Sequence, residues 1–114
     1  MTIWHVPPVE QQGEIELEQW GIALIDDRNW HFIGYNMANC EGRASTRIVR
    51  FDAATMTGIT ASGRVYRLKG PPGPLHPDAR YVFERWCAIN RVECAEDITA
   101  RVMAGDIEPP DDRH

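Results

Sequence analysis

Residues 70–74 read Gly-Pro-Pro-Gly-Pro, and neither a strand nor a helix runs through such a block, because proline fixes φ and has no amide donor. The chain is cut in two at this point. Before the block apolar residues mainly alternate, which is strand periodicity; after it they recur at three- and four-residue spacing, which is helical. Strands followed by helices predict an α+β domain: a four- or five-stranded antiparallel β-meander with one or two C-terminal helices packed on one face. At 114 residues, with 43% hydrophobic residues and four Trp, there is material for one core and not two. Residues 1–105 are expected to form that single domain, with 106–114 a disordered acidic tail.

Ile15 and Leu17, then Trp20, Ile22 and Leu24, keep a period of two with one phase slip near Glu18 and Gln19, the mark of a bulged strand. Asp26 to Asn29 make a polar turn, Trp30 to Tyr35 a second strand, and Asn36 to Gly42 a long loop. Residues 51–68 place two turns between three short strands. A two-residue turn at Ser62-Gly63 would set Ile59 opposite Tyr66 and Thr57 opposite Leu68, with Phe51 and Val49 on that apolar face. Ile48, Arg50, Thr60, Val65, Arg67 and Lys69 would then share the other face. A Gly bulge at the same turn would shift the register by one and exchange the faces. After the proline block, Pro77 suits the first position of a helix whose stripe is Ala79, Val82, Phe83, Trp86 and Cys87. A second short helix is expected with Glu96 and Asp97 early, Ile98 and Val102 on one side, and Gly105 as its stop.

Charge is segregated along the chain: residues 1–42 carry a net −6, residues 43–91 a net +6 and residues 92–114 a net −5. Grouped charge steers partners of opposite sign, or pairs internally when the chain folds. No apolar run is long enough to span a bilayer, and the first residues lack a signal-peptide pattern, so a cytoplasmic protein with no membrane partner is expected. Cys40, Cys87 and Cys94 are an odd number without a C-x-x-C pair, and are expected as free, mostly buried thiols. Neither they nor His5, His31, His76 and His114 match a common metal-ligand spacing, so no cofactor or metal is expected. Residues 70–74 are no phosphate loop, which needs successive amides. Glu14, Glu16 and Glu18 alternate with Ile15 and Leu17 as the wet side of a strand does. Cys40 is the one candidate nucleophile on a loop, and no His stands near it in the sequence to activate it.

What remains is binding. Trp4 and Trp30, the latter at a turn edge, are expected to be exposed, and exposed Trp and Arg are the usual anchors of protein interfaces. Arg50, Arg67 and Lys69, with Tyr66 or Trp30 to stack bases, form an alternative nucleic-acid surface on the sheet. The segment VRFDAATMTGITASGRVYRLKGPPG over residues 49–73, followed by the Tyr-Val-Phe-Glu-Arg-Trp helix, resembles small uncharacterised bacterial proteins associated with prophages and mobile elements. That resemblance covers about half the chain and implies a role in binding, and inhibiting, a host defence protein. The sequence reading is therefore a non-enzymatic protein-interaction module, with Trp30, Arg50, Arg67 and Lys69 as binding residues, no catalytic residue and an unidentified protein partner. The edge strands of a meander leave self-association open.

Overall fold

A computed structural model describes residues 14–110. Strands β1 (Glu14–Ile25) and β2 (Asn29–Asn36) form an antiparallel hairpin from Ile25↔Asn29 to Leu17↔Asn36. The register slips between Glu18 and Gly21, where Gln19 takes φ 46°, so the phase slip in the sequence is a bulge. The turn is tight because Asp26 and Asp27 adopt φ 51° and 56°, a left-handed geometry that short polar side chains tolerate. Strand β3 (Glu41–Asp52) begins earlier than expected, so the loop over 36–42 shrinks to a turn over residues 37–40. Strands β4 (Thr57–Thr60) and β5 (Val65–Leu68) follow.

The β4–β5 turn is the Gly-bulge form. Gly63 N–H donates to Thr60 O at 2.8 Å, Thr60 N–H donates to Arg64 O at 3.0 Å, and Gly63 takes φ 87°, open to glycine without a Cβ penalty. Thr57 therefore faces Arg67 and Ile59 faces Val65, one step from the two-residue register. Tyr66 and Leu68 stay buried, but Tyr66 lies opposite Gly58 and Leu68 beside Met56, whose O accepts the Leu68 N–H at 2.9 Å, while Thr57 and Ile59 turn outward with Arg67. A further slip between Ile48 and Arg50 lets Ile48 and Phe51 both point inward, correcting the expected face of Ile48.

The sheet is closed. Residues 14–17 of β1 pair in parallel with β5, from Glu14↔Val65 to Leu17↔Leu68, while β1 also pairs with β2 from Leu17 to Ile25. The order β1–β2–β3–β4–β5 thus returns to β1 as a five-stranded barrel rather than the open meander that successive hairpins suggest. Its interior holds Ile15, Leu17, Trp20, Ile22, Trp30, Phe32, Phe51 and Tyr66 among others. The Phe32 ring meets Tyr66 at 5.4 Å and Phe51 at 5.8 Å between centroids. Each large side chain so buried contributes about 1.5–3 kcal/mol.

The helices do not share a face. Helix α1 (Pro77–Ile89) lies outside the barrel, where Ala79, Phe83 and Trp86 pack with Ala23, Ile25 and Ile33. Its shielded stripe is the one expected from the spacing. Gly42 on β3 makes the approach possible: a Cβ there would stand 2.4 Å from Ala79 Cα. The Asp78 carboxylate accepts the Gly42 N–H at 2.7 Å, and His76 Nδ1 caps the helix by accepting the Asp78 N–H at 3.0 Å. Residues 95–97 form not the start of a helix but a short strand, β6 (Ala95–Asp97), antiparallel to residues 23–25 of β1. Helix α2 (Thr99–Met103) follows, and Ile98 and Val102 enter the interior cluster. Ile107 packs against the same cluster. Trp4, His5 and His114 lie outside the described residues.

Candidate functional site

Outward-facing Gly21 and Ala23 on β1 are small, and with Ile33 of β2 they form the floor of a groove of about 600 Å³. One wall is Phe83 of α1, a second is the Pro72–Leu75 segment, and a third is Thr99, Ala100 and Met103. Glu96 and Asp97 stand on its rim as the two charged residues of the lining. The volume falls within the roughly 300–1,000 Å³ of ligand sites, and the lining is mostly apolar, as such sites are.

Backbone bonds hold the walls. Between its pairings with β5 and β6, β1 would expose unpaired polar groups, which burial does not tolerate. Trp20 O accepts Gly73 N–H at 2.9 Å, Ile22 N–H donates to Thr99 Oγ1 at 2.9 Å, and Ile22 O accepts Ile98 N–H at 3.0 Å. Trp20 Nε1 and Gln19 Nε2 tie the proline block down, donating to Gly70 O at 3.1 Å and Pro74 O at 3.3 Å. The stiff block read from the sequence as a connector is thus also a wall, presenting proline carbons.

None of the sequence-predicted binding residues lines this groove. Trp30 is 8% exposed and belongs to the interior cluster; the turn-edge position that suggested exposure faces inward, because the closed barrel gives that end of β2 an inside. Arg67 makes a forked pair with Glu14 at 2.7 and 3.2 Å, and Lys69 lies 3.6 Å from Glu16. The pair with Arg67 holds the Glu14 carboxyl below the usual carboxylate range. Arg50 is exposed on β3 and, like Arg47 and Arg64, has interaction partners. The outer surface that carries Arg50, Arg67 and Lys69 also carries Glu14, Glu16 and Asp52, so carboxylates stand among its basic groups.

The thiols are free, but Cys40 and Cys94 are exposed and Cys87 half-buried, which corrects the expectation of mostly buried ones. Burial, then Asp26 and Glu84, push the Cys87 thiol up. Folding stacks His76 on Tyr35, their ring centroids 3.9 Å apart, and partial burial and the Cys40 thiol raise the Tyr35 hydroxyl. The His76 ring, however, is engaged in capping α1 through Nδ1, and the Cys40 thiol is directed at Met37 O, 3.6 Å away. His31 is buried between barrel and helix, its Nδ1 2.9 Å from Ser45 O and its ring 4.8 Å from that of Trp86. Burial lowers its pKa, against a smaller raising effect of the Ser45 bond. Among the described residues no three His, Cys, Asp or Glu side chains gather into a metal site, and no helix is long and apolar enough to cross a membrane.

No family model, curated protein or solved structure matches the chain.

The groove was illegible in the sequence because its parts come from five separate stretches, at residues 20–23, 33, 72–75, 83 and 95–103. The available signals were the proline block and the small Gly21 and Ala23 within an otherwise bulky strand.

Proposed function

We propose that this protein is a small non-enzymatic binding module that engages a protein partner through the groove between β1, α1, α2 and the proline block. The observation that carries this reading is a groove of about 600 Å³ in which the proline block and residues 98–99 are tied to β1 by hydrogen bonds, so apolar side chains of a partner enter with less ordering cost on this side. The resemblance to mobile-element proteins makes a host protein, including one of the nucleic-acid-handling defence machinery, the expected partner. The alternative nucleic-acid surface draws less support, since Arg67 and Lys69 are paired with carboxylates, which lowers their pull on phosphate.

Ala100→Arg tests the proposal, because Ala100 is exposed and lines the groove, so the change fills the site without touching the core. In a nuclease-treated lysate of the native host, the wild-type chain retains a stoichiometric partner that Ala100→Arg does not. A partner retained equally by both chains, or one lost on nuclease treatment and on Arg67→Glu, would refute the groove and bring the basic sheet face forward.

A further inference from the structure

The short strand β6 shapes what enters the groove. Ile98 N–H bonds Ile22 O and Asp26 N–H bonds Cys94 O, with Glu96 opposite Leu24 between them. In an antiparallel ladder residues two apart bond in the same direction, so Cys94, Glu96 and Ile98 turn their backbone groups to β1. Ala95 and Asp97 turn theirs away. β6 is the last strand of the sheet, and all three of its residues are exposed. The free N–H and C=O groups of Ala95 and Asp97 are a template for one more strand.

That edge adjoins the groove. Asp97 and Ala95 lie opposite Ala23 and Ile25, on the side of the sheet that forms the floor, so a strand added outside β6 directs alternate side chains to the groove side. Glu96 and Asp97 are the ionic groups of the lining, and both are negative. Arg101 pairs with Glu96 at 3.0 Å, so the anion on the groove side is chiefly Asp97, whose Oδ1 accepts from Thr99 N–H at 3.0 Å and from the Thr99 hydroxyl at 2.6 Å. From this geometry, and resting on the groove as a protein-binding site, we infer that the bound segment is an extended peptide. It adds as a strand to β6 and sends an apolar side chain into the groove beside a Lys or Arg. A second copy of this chain is disfavoured as occupant, because β6 against β6 sets acidic side chains opposite one another, which destabilises a pair.

The test uses the full chain and two blocked pentapeptides, KVLVK and EVLVE. Two variants accompany them. Ala95→Pro removes an edge donor while leaving Glu96 bonded to β1; Ala100→Arg fills the groove. KVLVK is expected to shift the amide resonances of Ala95, Asp97 and Ala100, and to bind about fivefold or more tighter than EVLVE at low salt, with added salt narrowing the gap. Both variants lose this binding. Loss with Ala100→Arg but not with Ala95→Pro overturns strand addition and keeps the groove; indifference to both variants, or shifts elsewhere, overturns both. Equal binding of EVLVE overturns the basic requirement. Methylating the central amide of KVLVK removes the pairing from the peptide's side, so the outcome stands even if Ala95→Pro fails to fold, and undiminished binding of that peptide overturns strand addition.

Discussion

Gly42→Ala puts the docking of α1 to a numerical test. The new Cβ would stand 2.4 Å from Ala79 Cα and 2.5 Å from both Ala79 N and Asp78 O. All three are backbone atoms, which cannot rotate aside. Carbon atoms rest at about 3.5–4.0 Å, so the first turn of the helix must retreat by roughly 1 Å or more. Overpacking of this kind costs about 1–3 kcal/mol. The retreat also breaks the bond from Gly42 N–H to the Asp78 carboxylate, 2.7 Å long, and bonds to charged groups contribute about 1.5–3 kcal/mol. Together the loss is about 3–5 kcal/mol, a large share of the roughly 5–15 kcal/mol that stabilises a domain. For a chain of this size that lowers the melting temperature by about 10–20 °C, followed by circular dichroism. Gly70→Ala is the control: Gly70 takes φ 68° with nothing within 4 Å of the added carbon, so only the left-handed penalty of about 1–2 kcal/mol applies. A Gly42→Ala protein that melts no lower than Gly70→Ala refutes the placement of the helix. Because Phe83 of the same helix is a groove wall, Gly42→Ala also weakens peptide binding.

Trp30→Ala removes a side chain 8% exposed from the interior cluster and is expected to cost about 3–5 kcal/mol in urea unfolding; a loss under 1 kcal/mol would return Trp30 to the surface. His31, whose pKa burial holds below 6.5, binds its proton less well in the folded than in the unfolded chain. Its contribution is therefore complete above pH 6.5 and is lost as the pH falls from there towards the lowered value. The melting temperature should drop between pH 7.5 and 5.5, a window above that of Glu14, and the drop should shrink in His31→Gln; equal drops in both proteins would refute the assignment. A thiol reagent at neutral pH should modify exposed Cys40 and Cys94 first and Cys87 last, as its raised pKa and partial burial require, and mass mapping of early adducts on Cys87 would refute this.

Where a structural cause is local, it was legible in the residues. The phase slip at Glu18–Gln19 is a bulge, the Asp26-Asp27 turn takes the backbone that its side chains favour, and the stripe from Ala79 to Cys87 is the shielded side of α1. The β4–β5 register hung on one turn with two chemically reasonable forms, and Gly63 at φ 87° selects the bulged one. Trp30 shows where local reading stops: its exposure depends on whether the sheet closes, and closure is decided by strands about 50 residues apart. The groove is further still from the sequence, because no single element contains it. Its floor depends on small residues, which periodicity does not register, and β6 is too short and too exposed to leave a pattern.

The charge segregation finds much of its use inside the fold. A parallel closure has no turn to set its register, and β5 is only four residues long, so the match between β1 and β5 must come from the side chains themselves. Inward, Ile15 and Leu17 stand beside Tyr66 and Leu68; outward, Glu14 and Glu16 meet Arg67 and Lys69. A slip of one residue would turn the apolar set to solvent and part the charge pairs at once. Exposed ion pairs add little stability, yet here they discriminate between registers that hairpin geometry leaves free. With Glu14 and Glu16 thus matched to basic residues, a net −5 remains in the sequence of residues 92–114, the stretch that contains β6 and, in Asp97, an acid of the groove rim. Of that stretch Asp97 stands beside both the open edge and the groove, which is why a cation is expected beside the apolar anchor of whatever binds there.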